Sequence, residues 1–162
     1  MSATSFQPQW RAKPLSTVLL FMCFSCSATD ITDSAHVAGM ELQLASAKDK
    51  CELRVLQDAE LKILSLKPEP PCFFLRRGAD EPQRFSYPKV NIDYVLLVAG
   101  SALNERQRTL WNLPEDMQCG SMRQGVLVKA GQIEITPSVI KDSVACKNTG
   151  ADEKDFWAFA HL

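Results

Sequence analysis

Few side chains in this sequence stand at spacings that chemistry could use. Ser138-Val139-Ile140-Lys141 places a serine three residues before a lysine. On a helix that spacing brings an amine beside a hydroxyl, the arrangement of the Ser-x-x-Lys acyl-transfer enzymes. The companion triplets of that chemistry are absent. Lys147-Asn148-Thr149-Gly150 is one residue too long to supply Lys-Thr-Gly. A helix start with an exposed lysine accounts for the same four residues. A serine or cysteine nucleophile activated by histidine needs that base held rigidly. The two histidines, His36 and His161, lie in a polar stretch and at the second-last position. Glu115-Asp116 and Asp152-Glu153 are neighbouring carboxylates in turn-like passages, where solvated charge is the default. Gly100-Ser101 lacks both the glycine spacing and the lysine of a phosphate loop. We assign no catalytic, cofactor-binding or metal residue, and no cofactor is expected.

The cysteines are more informative. There are six: Cys23, Cys26, Cys51, Cys72, Cys119 and Cys146. The first two belong to an apolar run over 15–26, preceded by Arg11 and Lys13, with no acidic residue before Asp30. A basic start, a short apolar middle and small residues at the end make an export signal. The run falls short of the roughly 20 apolar residues that a spanning helix needs. Residues 1–28 therefore read as a signal peptide, cut after Ala28, where Cys26 and Ala28 satisfy the small-x-small rule. The alternative is a lipoprotein signal ending at Ser25, with an acyl chain on Cys26. Either cut leaves Cys51, Cys72, Cys119 and Cys146, an even set that reads as two disulfides in an oxidising compartment. No Cys-x-x-Cys pair is present to suggest a redox site or a zinc knuckle. Four cysteines allow three connectivities, and the sequence does not choose among them. The pairing we favour is Cys51 with Cys72 and Cys119 with Cys146. Each would close a loop of roughly 20 to 30 residues and contribute about 3 kcal/mol in the chain-entropy model.

About 135 residues remain beyond the signal, the size of one domain with a single core. Without Arg11 and Lys13 the chain carries 16 basic and 19 acidic groups, a balance of −3 with histidine neutral. That balance argues against a nucleic-acid partner, which requires a basic face.

Residues 29–39 read as a flexible tether and 40–162 as the folded domain. Strands are expected over 40–45 and 51–56, where apolar and polar residues alternate. A third covers 60–67, with Leu61 and Ile63 inward until Leu64 breaks the parity. Pro68, Pro70 and Pro71 end it. Residues 72–75 form a short aromatic strand, and 85–90 an edge piece interrupted by Pro88. Residues 92–100 suit a central strand covered on both faces, broken at Gly100-Ser101. Asn104 and Gln107 make a capping box for a helix over 104–113, with Leu103, Leu110, Trp111 and Leu113 buried. Residues 114–124 read as turn-rich. A hairpin follows, turning at Ala130-Gly131. Thr136-Pro137 starts a second helix over 138–146. Residues 156–162 finish as a strand, with a capped helix as the competing form.

The fold class is α+β: a mostly antiparallel sheet of five to seven strands, one or two short helices and two disulfides. Two places favour binding. Arg76 and Arg77 open a mixed-charge loop, and Trp157 and Phe159 offer aromatic anchors near His161. The expected function is an exported bacterial cell-envelope (periplasmic) or secreted binding protein without catalysis. It would serve as an inhibitor or immunity-type partner of another secreted protein. One alternative is a small envelope hydrolase using Asp or Glu. Another is a structural lipoprotein of the outer membrane, tethered by Cys26, the chain's only expected route to a membrane.

Overall fold

The computed structural model describes residues 30–78 and 80–161. The signal segment, its alternative end at Ser25 and the lipidation candidate Cys26 lie outside the described residues. Ten strands among the described residues form two antiparallel sheets, and two short helices complete the fold. It is mostly antiparallel β structure, richer in strand than a balanced α+β fold.

The first sheet is a four-strand meander of β1 (Asp30–Val37), β2 (Met40–Ala47), β3 (Lys50–Gln57) and β4 (Glu60–Ser65). Each pair is joined by a two-residue turn: Ala38-Gly39, Lys48-Asp49 and Asp58-Ala59. Positive φ at Ala38 and Gly39, and again at Asp58 and Ala59, gives the turn type whose twist matches the strands. β1 overturns the expected tether. Ala35 and Val37 bury themselves in the core while His36 and Ser34 face water, so this stretch has a strand period that its polar composition obscures.

Turn length also corrects the facing of β4. With Gln57 opposite Glu60, Leu61 falls opposite Leu56 and Lys62 opposite the buried Val55. Leu61 and Ile63 therefore point outward, 53% and 49% exposed, while Leu64 and Leu66 turn to the core. Lys62 lies on the inner side and donates to the carbonyl of Ile133 at 3.3 Å. An inward-pointing charge on an edge strand disfavours pairing with another sheet.

The second sheet is built on β7 (Ile92–Ala102) and β8 (Cys119–Lys129). Before them come β5 (Phe73–Phe74) and β6 (Arg84–Tyr87), both paired to β7. β9 (Gln132–Ile140) and β10 (Ala145–Cys146) pair with β8. As expected, β7 is covered on both faces. Leu96 and Val98 meet the first sheet, and Val95, Leu97 and Ala99 meet the layer behind. β7 does not break at Gly100-Ser101. Ser101 takes a positive φ within the strand, and its N–H donates to the carbonyl of Glu69 at 2.7 Å. A Cβ at position 100 would lie 2.6 Å from Sγ of Cys72, so only glycine lets the proline loop and its disulfide approach.

Both favoured disulfides are present, Cys51–Cys72 and Cys119–Cys146. The first ties β3 to the entry of β5 within the inter-sheet core. The second joins paired residues of β8 and β10.

Three expected elements take another form. The turn-rich reading of 114–124 ends at β8, which begins at Cys119. The helix over 138–146 is absent: β9 runs through Thr136-Pro137 to Ile140 instead. Thr136 is buried, its hydroxyl accepts from the N–H of Gly125 at 3.1 Å, and its carbonyl accepts from Gln124 at 2.7 Å. Pro137 sits where the ladder shifts register, a place where its missing donor costs nothing. The last segment is a helix, not a strand: α2 (Glu153–Ala160), behind α1 (Glu105–Leu110) in chain order. α2 packs on β6, β7 and β8, so the molecule has three layers. Among the described residues no helix is long and apolar enough to cross a membrane.

Candidate binding surface

Four side chains were expected at an interface, and the structure separates them. Arg76 is buried (6% exposed) and belongs to a brace between the sheets. Its Nη1 lies 2.6 Å from the carboxylate of Asp33 on β1, its Nη2 donates to the carbonyl of Ser34 and its Nε to that of Asp80. Asp33 also accepts from the N–H of Phe74 at 2.9 Å and lies 3.3 Å from Nζ of Lys147. Every group in this cluster has a partner, which is the condition for burying charge. Arg77 is exposed, and its guanidinium donates to the carbonyl of Ala151 at 2.9 Å. Phe159 is buried (2% exposed) against Gly125. Trp157 is 54% exposed, so it and Arg77 are the two of the four at the surface.

Why Trp157 is outward and its neighbours inward follows from helix geometry. Asp152 caps α2 by accepting from the N–H of Lys154 at 3.0 Å, and Glu153 and Asp155 supply the first-turn negative charge. Phe156, Phe159 and Ala160, at i, i+3 and i+4, then share the buried face. Phe156 meets Phe85 edge-on, with ring centroids 4.7 Å apart. Arg123 of β8 grips Asp155 at 2.5 Å. Glu153, Trp157 and His161, four apart, line the exposed side.

On that side the chain builds a small aromatic pocket. His161 stacks on the indole of Trp157, centroids 4.1 Å apart and planes 19° apart. One of its ring nitrogens bonds the carbonyl of Trp157 at 2.9 Å, which satisfies a group the helix end leaves open. Tyr87 meets the edge of His161 at 5.9 Å, and its hydroxyl donates to the carbonyl of Glu153 at 3.3 Å. A single 3₁₀ turn, Pro88–Val90, closes the other wall. The pocket holds about 270 Å³ and is lined by Tyr87, Pro88, Lys89, Val90, Trp157 and His161. Burial raises the pKa of Tyr87 above the ordinary phenol value, and the negative charge of Glu153 adds to the rise.

Other hollows are less defined. One of about 520 Å³ is lined by α1 residues alone, so it has no opposing wall. Another of about 450 Å³ lies where Asp58 and Glu60 of the β3–β4 hairpin face Gln132 and Ile133. A third, about 190 Å³, brings His36 to Asp80 and Glu81, with Glu81 71% exposed and paired to Arg84. Carboxylates line all three: Glu105 in the first, Asp58 and Glu60 in the second, Asp80 and Glu81 in the third. Ser138 and Lys141 lie on and just after β9, a strand, so the helical spacing that would join them does not exist.

The fold and surface define a disulfide-braced, two-sheet β protein that displays a rigidly mounted tryptophan beside a side-chain-sized pocket. The chain matches no protein-family model, no curated protein and no solved structure.

Proposed function

We propose that this chain is exported into a bacterial cell envelope, with its signal removed after Ala28, and works there as a non-catalytic binding protein. Its partner is another secreted protein, which it inhibits or protects. The observation that carries the reading is Trp157: a large aromatic 54% exposed on a helix whose other face is locked into the core. Tryptophan and tyrosine dominate the energetics of protein interfaces, and a fixed helix presents them at little entropic cost. The pocket beside it, at about 270 Å³, is below the roughly 300–1,000 Å³ of sites that enclose a small molecule. It suits one inserted side chain. Two disulfides favour an oxidising compartment, as does the apolar leader with its basic flank.

The test is retrieval from an envelope extract by the purified exported chain, run beside Trp157→Ala. The wild type should retain one partner at a fixed stoichiometry. The variant, folded as judged by circular dichroism, should lose about thirtyfold or more in affinity. A partner held equally well by both proteins removes Trp157 from the role.

A further inference from the structure

We propose that α1 is a membrane-surface contact: Leu110 and Trp111 enter the interface of a lipid bilayer while the leader still holds the chain there. The inference rests on the export reading of residues 1–28 and not on the protein partner. Both side chains are more than half exposed, and no residue of α1 is buried. They nonetheless sit on a formed turn. The Asn104–Gln107 capping box closes one end, and at the other the guanidinium of Arg108 donates to the carbonyls of Glu115 and Met117 at 3.2 and 3.1 Å.

What α1 meets follows from where the chain enters the fold. Asp30 opens β1 opposite Ser46, and Ser46 lies opposite Cys51. Cys51 is bonded to Cys72, whose carbonyl accepts from the hydroxyl of Thr32 at 2.7 Å. Cys72 packs on Gly100, two residues before β7 ends and five before α1 begins. The start of β1 and α1 therefore share one end of the sandwich. The 3₁₀ turn that walls the Trp157 pocket lies at the far end of the 11-residue β7. The apolar run over 15–26 stops four residues before Asp30, and four residues reach at most about 14 Å. Whatever keeps that run in a membrane keeps the α1 end of the fold at the bilayer surface.

The two side chains suit that place, since an indole settles at headgroup level with its ring toward the acyl chains. Glu105 and Arg106, exposed beside them, are of opposite sign, so the attraction is apolar rather than electrostatic. A bilayer has no fixed shape to match, so a tryptophan without a packed helix beneath it serves there. Two side chains alone hold a membrane only weakly, and the contact depends on the tether that raises their local concentration. Cutting after Ala28 thus releases the domain.

The full chain is reconstituted in phosphatidylcholine vesicles that carry lipid brominated along the acyl chains, and floated fractions are read by fluorescence. With Trp10 and Trp157 replaced by phenylalanine, Trp111 reports alone; with Trp10 and Trp111 replaced, Trp157 does. Trp111 emission should fall by about twofold and Trp157 emission should hardly change. Leu110→Asp should abolish the Trp111 quenching while the chain still floats, and added salt should leave the quenching as it is. Trp111 unquenched on floated vesicles, both tryptophans quenched alike, or Leu110→Asp quenched in full each overturn the contact. A chain that does not float overturns it together with the leader's role. A protein partner lost in Trp111→Ala and kept in Trp157→Ala would assign α1 to that protein instead of the bilayer.

Discussion

The two helices make an instructive pair, because they share a design and differ in footing. Each is short, each begins at a side chain that caps it, and each has an exposed tryptophan within it or at its end. α1 closes a full capping box: Asn104 accepts from the N–H of Gln107 at 2.9 Å and Gln107 accepts back at 3.0 Å. Yet none of its residues is buried. Leu110 and Trp111 are 78% and 60% exposed, which corrects their expected place in the core. Leu103 before the helix and Leu113 after it do the packing, beside Cys119–Cys146. α2 has the plainer cap and the firmer seat, with Phe156 and Phe159 in the core and Arg123 on Asp155. Local signals decide whether a turn of helix forms, and burial decides whether it stays fixed. For that reason Trp157 is a better anchor than Trp111, although Trp111 is the more exposed.

The comparison is broken most directly by truncating one side chain on each helix. Phe156→Ala should cost about 3–5 kcal/mol in urea unfolding, and Leu110→Ala should stay within about 0.5 kcal/mol. Similar losses would mean that α1 is seated after all. Replacing Cys119 and Cys146 together by alanine should cost about 2–4 kcal/mol. It should also release the α1 amides to hydrogen exchange well before those of α2. The caps sharpen the contrast further, at about 1 kcal/mol each. Asp152→Ala should lower the global unfolding midpoint, while Asn104→Ala should appear only as faster exchange within α1. The smallest effect is in Tyr87. In a Tyr94→Phe background its phenolate absorbance should emerge above the ordinary tyrosine range, and Glu153→Gln should bring it partway back. Unfolded, the phenol loses its proton near pH ~10; folded, it keeps it to higher pH. Stability from this group is complete below that value and falls as pH climbs through the window between the two. A Tyr87 that titrates as free tyrosine would mean that neither burial nor Glu153 acts on its hydroxyl.

Much of this was readable because it depends on near neighbours in the chain. Alternation in β2 and β3, the Ala130-Gly131 hairpin and the Asn104–Gln107 capping box are short-range patterns, and each stands as read. α2 could also have been read: Asp152 ahead of Glu153 and Asp155, then Phe156, Phe159 and Ala160 at helical spacing. The clustered aromatics point to a strand by β propensity, whereas their period points to a helix. β1 and the course of β9 were hidden for a different reason. Ser34 and His36 look like a linker until β2 lies beside them, and Thr136-Pro137 looks like a helix start until Gly125 and Gln124 take up its polar groups. Arg76 shows the same gap at the candidate site. Beside Arg77 it reads as surface charge, and only Asp33, 43 residues away, makes it a buried brace.

By itself, the sequence determined the strand-rich class, the turns at Asp58-Ala59 and Ala130-Gly131, the Asn104–Gln107 cap and the parity of the four cysteines. Those follow from φ preferences, side-chain period and local hydrogen bonding, which act over a few residues. Tertiary structure decided which disulfides form, which way β4 faces, which arginine is buried and which tryptophan is held still. Each of those depends on what arrives from a distant part of the chain to cover or expose it, and burial is a property of that meeting rather than of either residue alone.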